Sequence, residues 1–411
     1  MRNIGLLICL MMASPALAAT PEDTARVALT AMPIIDGHND TPEQIRELFK
    51  NDFSKFDLNT LLPEIVAKTH TSIPKLREGR VGGQFWSVWI DPALPKHEAV
   101  TQTLEQIDTV ERMIARYPET FASARTAAEI EAAIKRGRIA SLIGMEGGHS
   151  IGNSLAILRQ MYRAGARYMT ITHFLTNDWA DSATDAPRHD GLTPFGVSVV
   201  KEMNRLGMMI DISHVAQSTM EDVFNASSAP VILSHSNAQA LLDHPRNMSD
   251  AMLIRLNQNG GVIMITFVPD YTSPAIRAWE NSHAAQAAAM KTQHIGNPKA
   301  ESAALEGWIK ANPRPRATLS QVADHIDHVR GIAGIDHIGI GGDFGGISSV
   351  VEGLEDVSTY PALFTELARR GYTQEDLEKI SGRNILRVMK GAEAVAVGMK
   401  TMPPSDAVIG K

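Results

Sequence analysis

Between Met208 and His235 the chain reads MMIDISHVAQSTMEDVFNASSAPVILSH. An apolar run, Met208–Ile212, ends in Ser213-His214. A stretch of helical length follows, and a second run, Val231–Leu233, ends in Ser234-His235. Apolar residues in continuous rather than alternating order suit a parallel strand buried on both faces. Ser218 ahead of Glu221 reads as the start of the connecting helix. The unit is strand, helix, strand, with a histidine delivered where each strand ends.

Similar runs lie on both sides: Met32–Ile35, Gly83–Ile90, Ile139–Met145, Tyr168–Thr172, Val262–Val268 and Ile338–Ile340. Helical spacing fills the gaps, as in Leu155, Leu158, Met161 and Gly165, or Val199, Val200, Met203 and Leu206. Eight such units are the count of a (β/α)8 TIM barrel, with a doubly wound sheet as the alternative. The residues that follow the runs favour the barrel. Asp36-Gly37-His38-Asn39-Asp40, Glu146, His173, His214, His235 and Asp343 stand at the C-terminal ends of six of them. In a TIM barrel that face carries the active site. One segment departs from the rhythm, Ile276 to Arg316, rich in Ala, Gln and charge and closing on Pro313-Arg314-Pro315. It is expected to be a helical insertion over the barrel mouth or side, within a single domain spanning 19–411.

Composition excludes several classes. The chain has 411 residues, 44% hydrophobic, and its 46 acidic residues outnumber 39 basic ones. Without a basic surplus to neutralise phosphates, no nucleic-acid partner is expected. Arg2, the apolar run Ile4–Met12 and Ala16-Leu17-Ala18 form the pattern of a secretory signal peptide over residues 1–18, cleaved after Ala18. That run is too short to span a bilayer, and Ala394–Lys411 holds no hydrophobic tail, so no stable membrane anchor is expected. Cleavage removes Cys9, the only cysteine. Cys9 is not read as a lipid attachment site, because Ile8 before it is bulky and the apolar run continues past it. An exported, cysteine-free chain held by its core alone fits a bacterial periplasm. The sequons at Asn39, Asn225 and Asn247 are read as chance.

His38 and Asp40 are two apart, so on an extended strand end both side chains point to one side and can bind one ion. His214 and His235 close consecutive strands, whose ends lie about 5 Å apart, and can share a second. Glu146 stands between the pairs with two oxygens to bridge them. Imidazole and carboxylate without thiolate favour zinc, two per subunit, with manganese or another divalent metal as alternatives. Ions roughly 3.5–4 Å apart clamp a hydroxide between them. A lone His-x-Asp is weak, and a single histidine is more often hydrogen-bonded in a core than a ligand; the joint pattern carries the reading. His149, His189 and His244 are taken as loop residues or as residues behind the ligands. His70, His97, His283, His294, His325, His328 and His337 are taken as solvated. Trp86 and Trp89 are assigned to the core, or else to the pocket wall. Gly339–Gly346 fails as a nucleotide loop, because Phe344 occupies the last position of GxGxxG.

The chain resembles the membrane dipeptidase (renal dipeptidase) family of binuclear zinc peptidases. The stretches that carry the resemblance are DGHND at 36–40, GGQFWSV at 82–88, EGG at 146–148 and THF at 172–174. GLTPFG at 191–196, DISH at 211–214, SHSNA at 234–238 and PRN at 245–247 continue it. GGDF at 341–344 and EGLEDVSTYP at 352–361 complete it, in order from about Ile34 to Ala394. The resemblance implies hydrolysis of free dipeptides, including those with a D-residue at the C-terminal position. It places one zinc on His38 and Asp40, the other on His214 and His235, and Glu146 across both. His173 would stabilise the oxyanion, Arg246 would pair with the substrate carboxylate, and Asp343 would shuttle protons; the family also allows a homodimer. Each role suits its chemistry: imidazole can donate to developing charge, Arg offers a fork matched to a carboxylate, and an aspartate beside cations can accept a proton. Structural alternatives remain open, since Arg246 could cap a helix, His173 could be a core residue and Asp343 could ligate metal. Family members commonly read GDFDG, whereas Gly345 stands here in place of the second acid, which bears on substrate choice or proton handling. Two other functions stay in view: an amide hydrolase on the same scaffold acting on N-acyl amino acids or β-lactams, and a ligand-binding protein that has lost catalysis.

Overall fold

The computed structural model describes residues 19–409, so the signal-peptide segment lies outside the described residues. Nine strands form: β1 (Ile34–Asn39), β2 (Val81–Trp89), β3 (Phe121–Ser123), β4 (Ile139–Glu146), β5 (Ala166–Thr170), β6 (Met209–Asp211), β7 (Ile232–Ser236), β8 (Val262–Ile265) and β9 (Ile338–Ile340). All pair in parallel, in the order β2-β1-β9-β8-β7-β6-β5-β4, and β2 pairs again with β4 to close the ring. The eight barrel strands coincide with the eight apolar runs. The expected TIM barrel is the fold.

β3 is the element the sequence does not announce. It pairs with Ile139–Ser141 at the start of β4, and β5 takes over that edge from Ile143 onward. Three residues, of which Ser123 is exposed, are too few to show an apolar period. The connecting helices follow the expected spacing. Pro194–Leu206 buries Val199, Val200 and Met203, and the Thr193 hydroxyl caps it by accepting from the Gly196 N–H. Ser218, expected to start a helix, instead lies inside Gln217–Ala226, whose cap is Ala216. The reason is tertiary: Ala216 donates its N–H to the Asp181 carbonyl and Ala183 donates to that of His214. The loop after β6 is pinned there, and the helix begins where the pinning ends.

Three histidines expected to be solvated are buried instead: His70, His325 and His337. Each satisfies backbone in the loop layer. His70 accepts from the Gly345 N–H, His325 accepts from that of Ala238, and His337 Nδ1 lies 2.7 Å from the Gly261 carbonyl. Sequence spacing cannot show such partners, which are distant along the chain.

Residues 274–311 form two helices, Pro274–Gln293 and Pro298–Ala311, which pack Trp279 against Trp308 with ring centres 5.7 Å apart. Ile276 alone is fully buried in the first, and no residue is in the second. Arg314 fastens the pair to the barrel mouth. Its guanidinium donates to Glu280 at 2.8 Å, to both oxygens of Asp270 at 2.8 and 2.9 Å, and to Ser349 at 3.0 Å.

Inside the barrel a large side chain faces a missing one. Tyr168 on β5 crosses the interior above Gly144 on β4, and its hydroxyl donates to the Gly37 carbonyl of β1 at 3.1 Å. A Cβ at Gly144 would meet the Tyr168 ring at 2.0 Å. Gly144→Ala therefore overpacks the interior, and we expect a loss of about 1–3 kcal/mol in denaturant unfolding. An unchanged unfolding midpoint would show that the ring has room to move.

Candidate metal centre

β1, β4 and β7 carry His38, Glu146 and His235 within their last residues, whereas His173 and His214 stand three residues past β5 and β6. Asp40 stands at the N-terminal end of the helix Thr41–Phe49 that leaves β1, and its side chain makes no capping bond. Asp343, three residues past β9, donates its N–H to the His38 carbonyl. His214 and Asp343 both adopt left-handed φ, 67° and 63°, a conformation uncommon for non-glycine residues though enriched in His and Asp. All the sequence-predicted ligands thus meet at one face. Their ligand atoms fall into three overlapping groups: His38, Glu146 and His235; Glu146, His173 and His214; His38, Asp40 and Asp343. Within each group those atoms lie within 4.8 Å of one another.

Glu146 is the hinge of the arrangement. Its Oε1 lies 3.1 Å from His214 Nε2, 3.4 Å from His235 Nε2 and 3.6 Å from His173 Nε2. Its Oε2 lies 3.3 Å from His38 Nε2, which in turn is 3.4 Å from Asp40. One oxygen faces the β6–β7 pair and the other faces the β1 pair. Burial alone would raise this carboxyl, but protons on the facing imidazoles, His38 first, would hold it well below the usual carboxylate range, and a cation can take their place.

Hydrogen bonds from behind sort the imidazoles into acceptors and a donor. The Tyr168 hydroxyl gives its proton to Gly37, so it accepts from His38 Nδ1 at 3.0 Å and leaves Nε2 bare. Ser234 donates to Asp211 at 2.6 Å, so its hydroxyl accepts from His235 Nδ1 at 2.8 Å, and that Nε2 is bare too. Trp89 works the opposite way. Its indole N–H donates to His173 Nδ1 at 3.1 Å, so the His173 proton sits on Nε2 and points into the site. Burial, reinforced by the Arg246 charge although Glu146 opposes it, lowers His173 to about 4, so the ring is a neutral donor.

Bare nitrogens facing carboxylates and one another need a cation. His214 Nε2 and His235 Nε2 are 2.8 Å apart, and His38 Nε2 is buried without a hydrogen-bond partner. Burial, with Arg246 and the neighbouring imidazoles, holds His214 and His235 well below the ordinary histidine value. Neutral imidazoles and an ionised carboxylate are the forms that ligate divalent metals. The residues present fit metal ions.

The centre floors a cavity of about 250 Å³. Arg246 lies in its wall, 2% exposed, donating to the His235 carbonyl at 3.0 Å and to Ser236 at 3.3 Å. Its Nε–H is buried without a partner, and its guanidinium lies 5.3 Å from the Tyr271 ring centre. Asp343 also lines the cavity; burial and the charges of Asp40 and Glu146 push its carboxyl well above the usual range. Gly345 has φ 90°, and a Cβ there would sit 3.0 Å from the Asp40 backbone. At Gly346 a Cβ would meet Asp40 Oδ2 at 2.4 Å and Asp343 Oδ1 at 2.7 Å. The absent acid at 345 therefore leaves a tight turn laid directly on two carboxylates.

The family model "membrane dipeptidase (peptidase family M19)" matches residues 22–403. The chain belongs to that family. It is a metallo-dipeptidase, a hydrolase. An uncharacterized dipeptidase of Schizosaccharomyces pombe is 41% identical over 388 residues, covering 91% of this chain and 84% of that one. Dipeptidase verJ of Clonostachys rogersoniana is 39% identical over 384 residues, covering 90% and 87%. Among solved structures, the probable dipeptidase PvdM from Pseudomonas aeruginosa superposes with TM-score 0.78 at 24% identity over 92% of this chain and 99% of that one. A metallo peptidase from Rhodobacter sphaeroides, liganded with a phosphinate mimic of the dipeptide L-Ala-D-Ala, gives 0.71 at 22% identity over 88% and 99%. These two likenesses speak to the fold.

The layer behind this dipeptidase's ligands escaped the sequence reading. Asp36, buried, accepts from the N–H groups of His38 and Gly342 and from the Tyr360 hydroxyl. Asp211, equally buried, accepts from the N–H groups of Ser213 and Ser234 and from the hydroxyls of Thr170 and Ser234. The signal was present, an aspartate inside or directly after an apolar run, two or three residues ahead of a proposed ligand. Trp86 is core, as expected, whereas Trp89 belongs to the wall. His149 and His244 stand near the site on loops, bonded to the Ile90 carbonyl and the Arg246 N–H respectively. Tyr168→Phe removes the acceptor that fixes the His38 tautomer; we expect metal affinity to fall about 10- to 100-fold by competition with a chelator. Unchanged affinity would show that the tautomer is set otherwise.

Proposed function

We propose that the chain hydrolyses free dipeptides, including those with a D-residue at the second position, using two zinc ions. The observation that carries this reading is the opposition of polar groups around one cavity. A neutral imidazole N–H and a buried, incompletely paired guanidinium face a cluster of bare nitrogens and carboxylates. His38 and Asp40 would hold one ion and His214 and His235 the other, with one Glu146 oxygen toward each pair. Bound ions of this kind supply Lewis acidity and water of lowered pKa.

The remaining chemistry belongs to side chains. Arg246 has an unspent N–H and a planar fork, and it would take the substrate's C-terminal carboxylate. That contact sets the scissile carbonyl over the cluster. His173, its proton held on Nε2 by Trp89, would donate to the carbonyl oxygen as negative charge builds there. Asp343 would take the proton of the attacking water and return it to the leaving amine. Cations beside Asp343 reverse the repulsion from Asp40 and Glu146 that otherwise raises it. The dipeptide mimic held by the Rhodobacter sphaeroides neighbour, with its D-alanine, supports both the substrate class and the tolerance of D-residues.

A panel of free dipeptides with L or D second residues, beside N-acetylated and C-amidated versions, tests the assignment on zinc-loaded against chelated protein. Turnover of free dipeptides alone is expected. Turnover confined to N-acylated substrates would replace it with an acyl-amino-acid hydrolase, and silence with metal bound would leave a binding protein. Two metals per chain are expected by elemental analysis. Glu146→Ala should lose both together with activity; retained metal would remove the bridging role. Arg246→Ala should raise KM for free dipeptides about 10- to 100-fold, the value of a charged hydrogen bond, while C-amidated substrates change far less. Equal losses on both would take Arg246 out of carboxylate recognition. We also propose export through residues 1–18, in which case protein recovered from the producing cell begins at Ala19.

A further inference from the structure

Two carboxylates line the cavity outside the proposed catalytic set, Glu43 and Asp270. Their situations differ. Asp270 is held at both oxygens by Arg314. Glu43 makes no hydrogen bond among the described residues, and its nearest cation, Arg46, is 4.0 Å away. Arg46 is committed elsewhere, to the Trp89 carbonyl at 3.1 Å and to Glu47 at 3.4 Å. Glu43 is nonetheless largely shielded, with its side chain 20% exposed. Burial and the neighbouring charge of Asp40 push its carboxyl up to about 8.

Position says which cation would suit it. Arg246 bonds to β7, and Glu43 stands on the helix that leaves β1. In the closed ring β1 and β7 are separated by β9 and β8, so the two side chains approach the cavity from well-separated walls. With the substrate carboxylate at Arg246, the N-terminal residue of a dipeptide points toward Glu43. Its α-ammonium sits on the carbon next to the scissile carbonyl and so lies at the cluster, beside Asp40 and Asp343. Glu43 is three residues beyond Asp40, about 4.5 Å further along the helix axis. That offset suits a group at the end of a side chain rather than the α-ammonium.

We propose that Glu43 is a specificity-determining residue that pairs with a cationic side chain on the N-terminal residue of the dipeptide, such as lysine, ornithine or arginine. The assignment rests on the dipeptidase reading and on the orientation set by Arg246. A carboxylate in the first turn of a helix also offsets the helix dipole, but that role would affect stability and not substrate choice.

The test is a ratio. Zinc-loaded wild type, E43Q and E43K are assayed for kcat/KM on lysyl-alanine, on norleucyl-alanine of nearly the same shape, and on glutamyl-alanine. Wild type should prefer the lysyl over the norleucyl substrate by about tenfold, mostly in KM, the value of one charge-assisted contact. E43Q should bring that ratio close to one, and E43K should move the preference to glutamyl-alanine. A lysyl-to-norleucyl ratio that is the same in wild type and E43Q overturns the role of Glu43 while the dipeptidase reading stands. If zinc-loaded wild type turns over none of the three, nor alanyl-alanine, the dipeptidase reading fails and this proposal fails with it.

Discussion

Four imidazole nitrogens converge on the two oxygens of a single buried carboxylate, Glu146, at 3.1 to 3.6 Å. Taking a carboxylate out of water costs several kcal/mol unless cations or hydrogen bonds replace the water. Here one hydrogen bond comes from Ser87, at 3.2 Å, and the bonds behind His38 and His235 turn those two rings inward as acceptors. The cluster is therefore electrostatically incomplete as a protein alone. Its demand for positive charge can be met by protons or by metal, and the tautomers decide in favour of metal. Nitrogens whose protons are held on the far side of the ring present lone pairs inward.

That tautomer control sits in the second layer of the barrel. Tyr168 reaches across the interior from β5 to β1, Ser234 links His235 to Asp211, and Trp89, by donating to Nδ1, keeps the His173 proton on the inward Nε2. Asp36 and Asp211 act as paired anchors, each tying a strand end to a neighbour through backbone N–H groups. Because these anchors and the ligand His38, Glu146 and His235 stand on strands, their positions are set by the barrel ladder itself. A site on strand ends is more rigid than one on loops. The two site residues outside the strands that take left-handed φ, His214 and Asp343, are held by hydrogen bonds to their backbone: the Ala183 N–H and the Thr172 hydroxyl donate to the His214 carbonyl, and the Asp343 N–H donates to that of His38.

The barrel and the cluster of side chains at its mouth were legible because both leave period-independent marks. A strand buried on both faces is an apolar run whatever its neighbours, and a polar residue at its end has few structural reasons to be there. What was illegible depended on partners far along the chain. His325 is buried because it meets Ala238 and Thr272, and nothing around position 325 says so. β3 is three residues long, below any periodic signal. The start of the helix after β6 was misplaced because a loop contact, not a capping residue, ends the turn. Asp36 and Asp211 occupy an intermediate class: they were visible as polar residues at the end of an apolar run or within one, but their role required the hydrogen-bond geometry.

Chemistry and selectivity fall on different parts of the fold. The atoms that would hold metal come from the ends of β1, β4, β6 and β7 and the residues just beyond them. The cavity walls come instead from the first turn after β1, from the loop bearing Arg246, and from the segments around Asp270 and Ser349. The last two are tied by Arg314 to a helical pair that buries almost nothing of its own. A barrel held by its ladder can keep one metal geometry while such walls change residue by residue, which is how one scaffold supports several amide substrates. Glu43 illustrates the separation. It is one helical turn from a proposed ligand, touches none of the reacting atoms, and changes only the charge that a substrate side chain meets on entering.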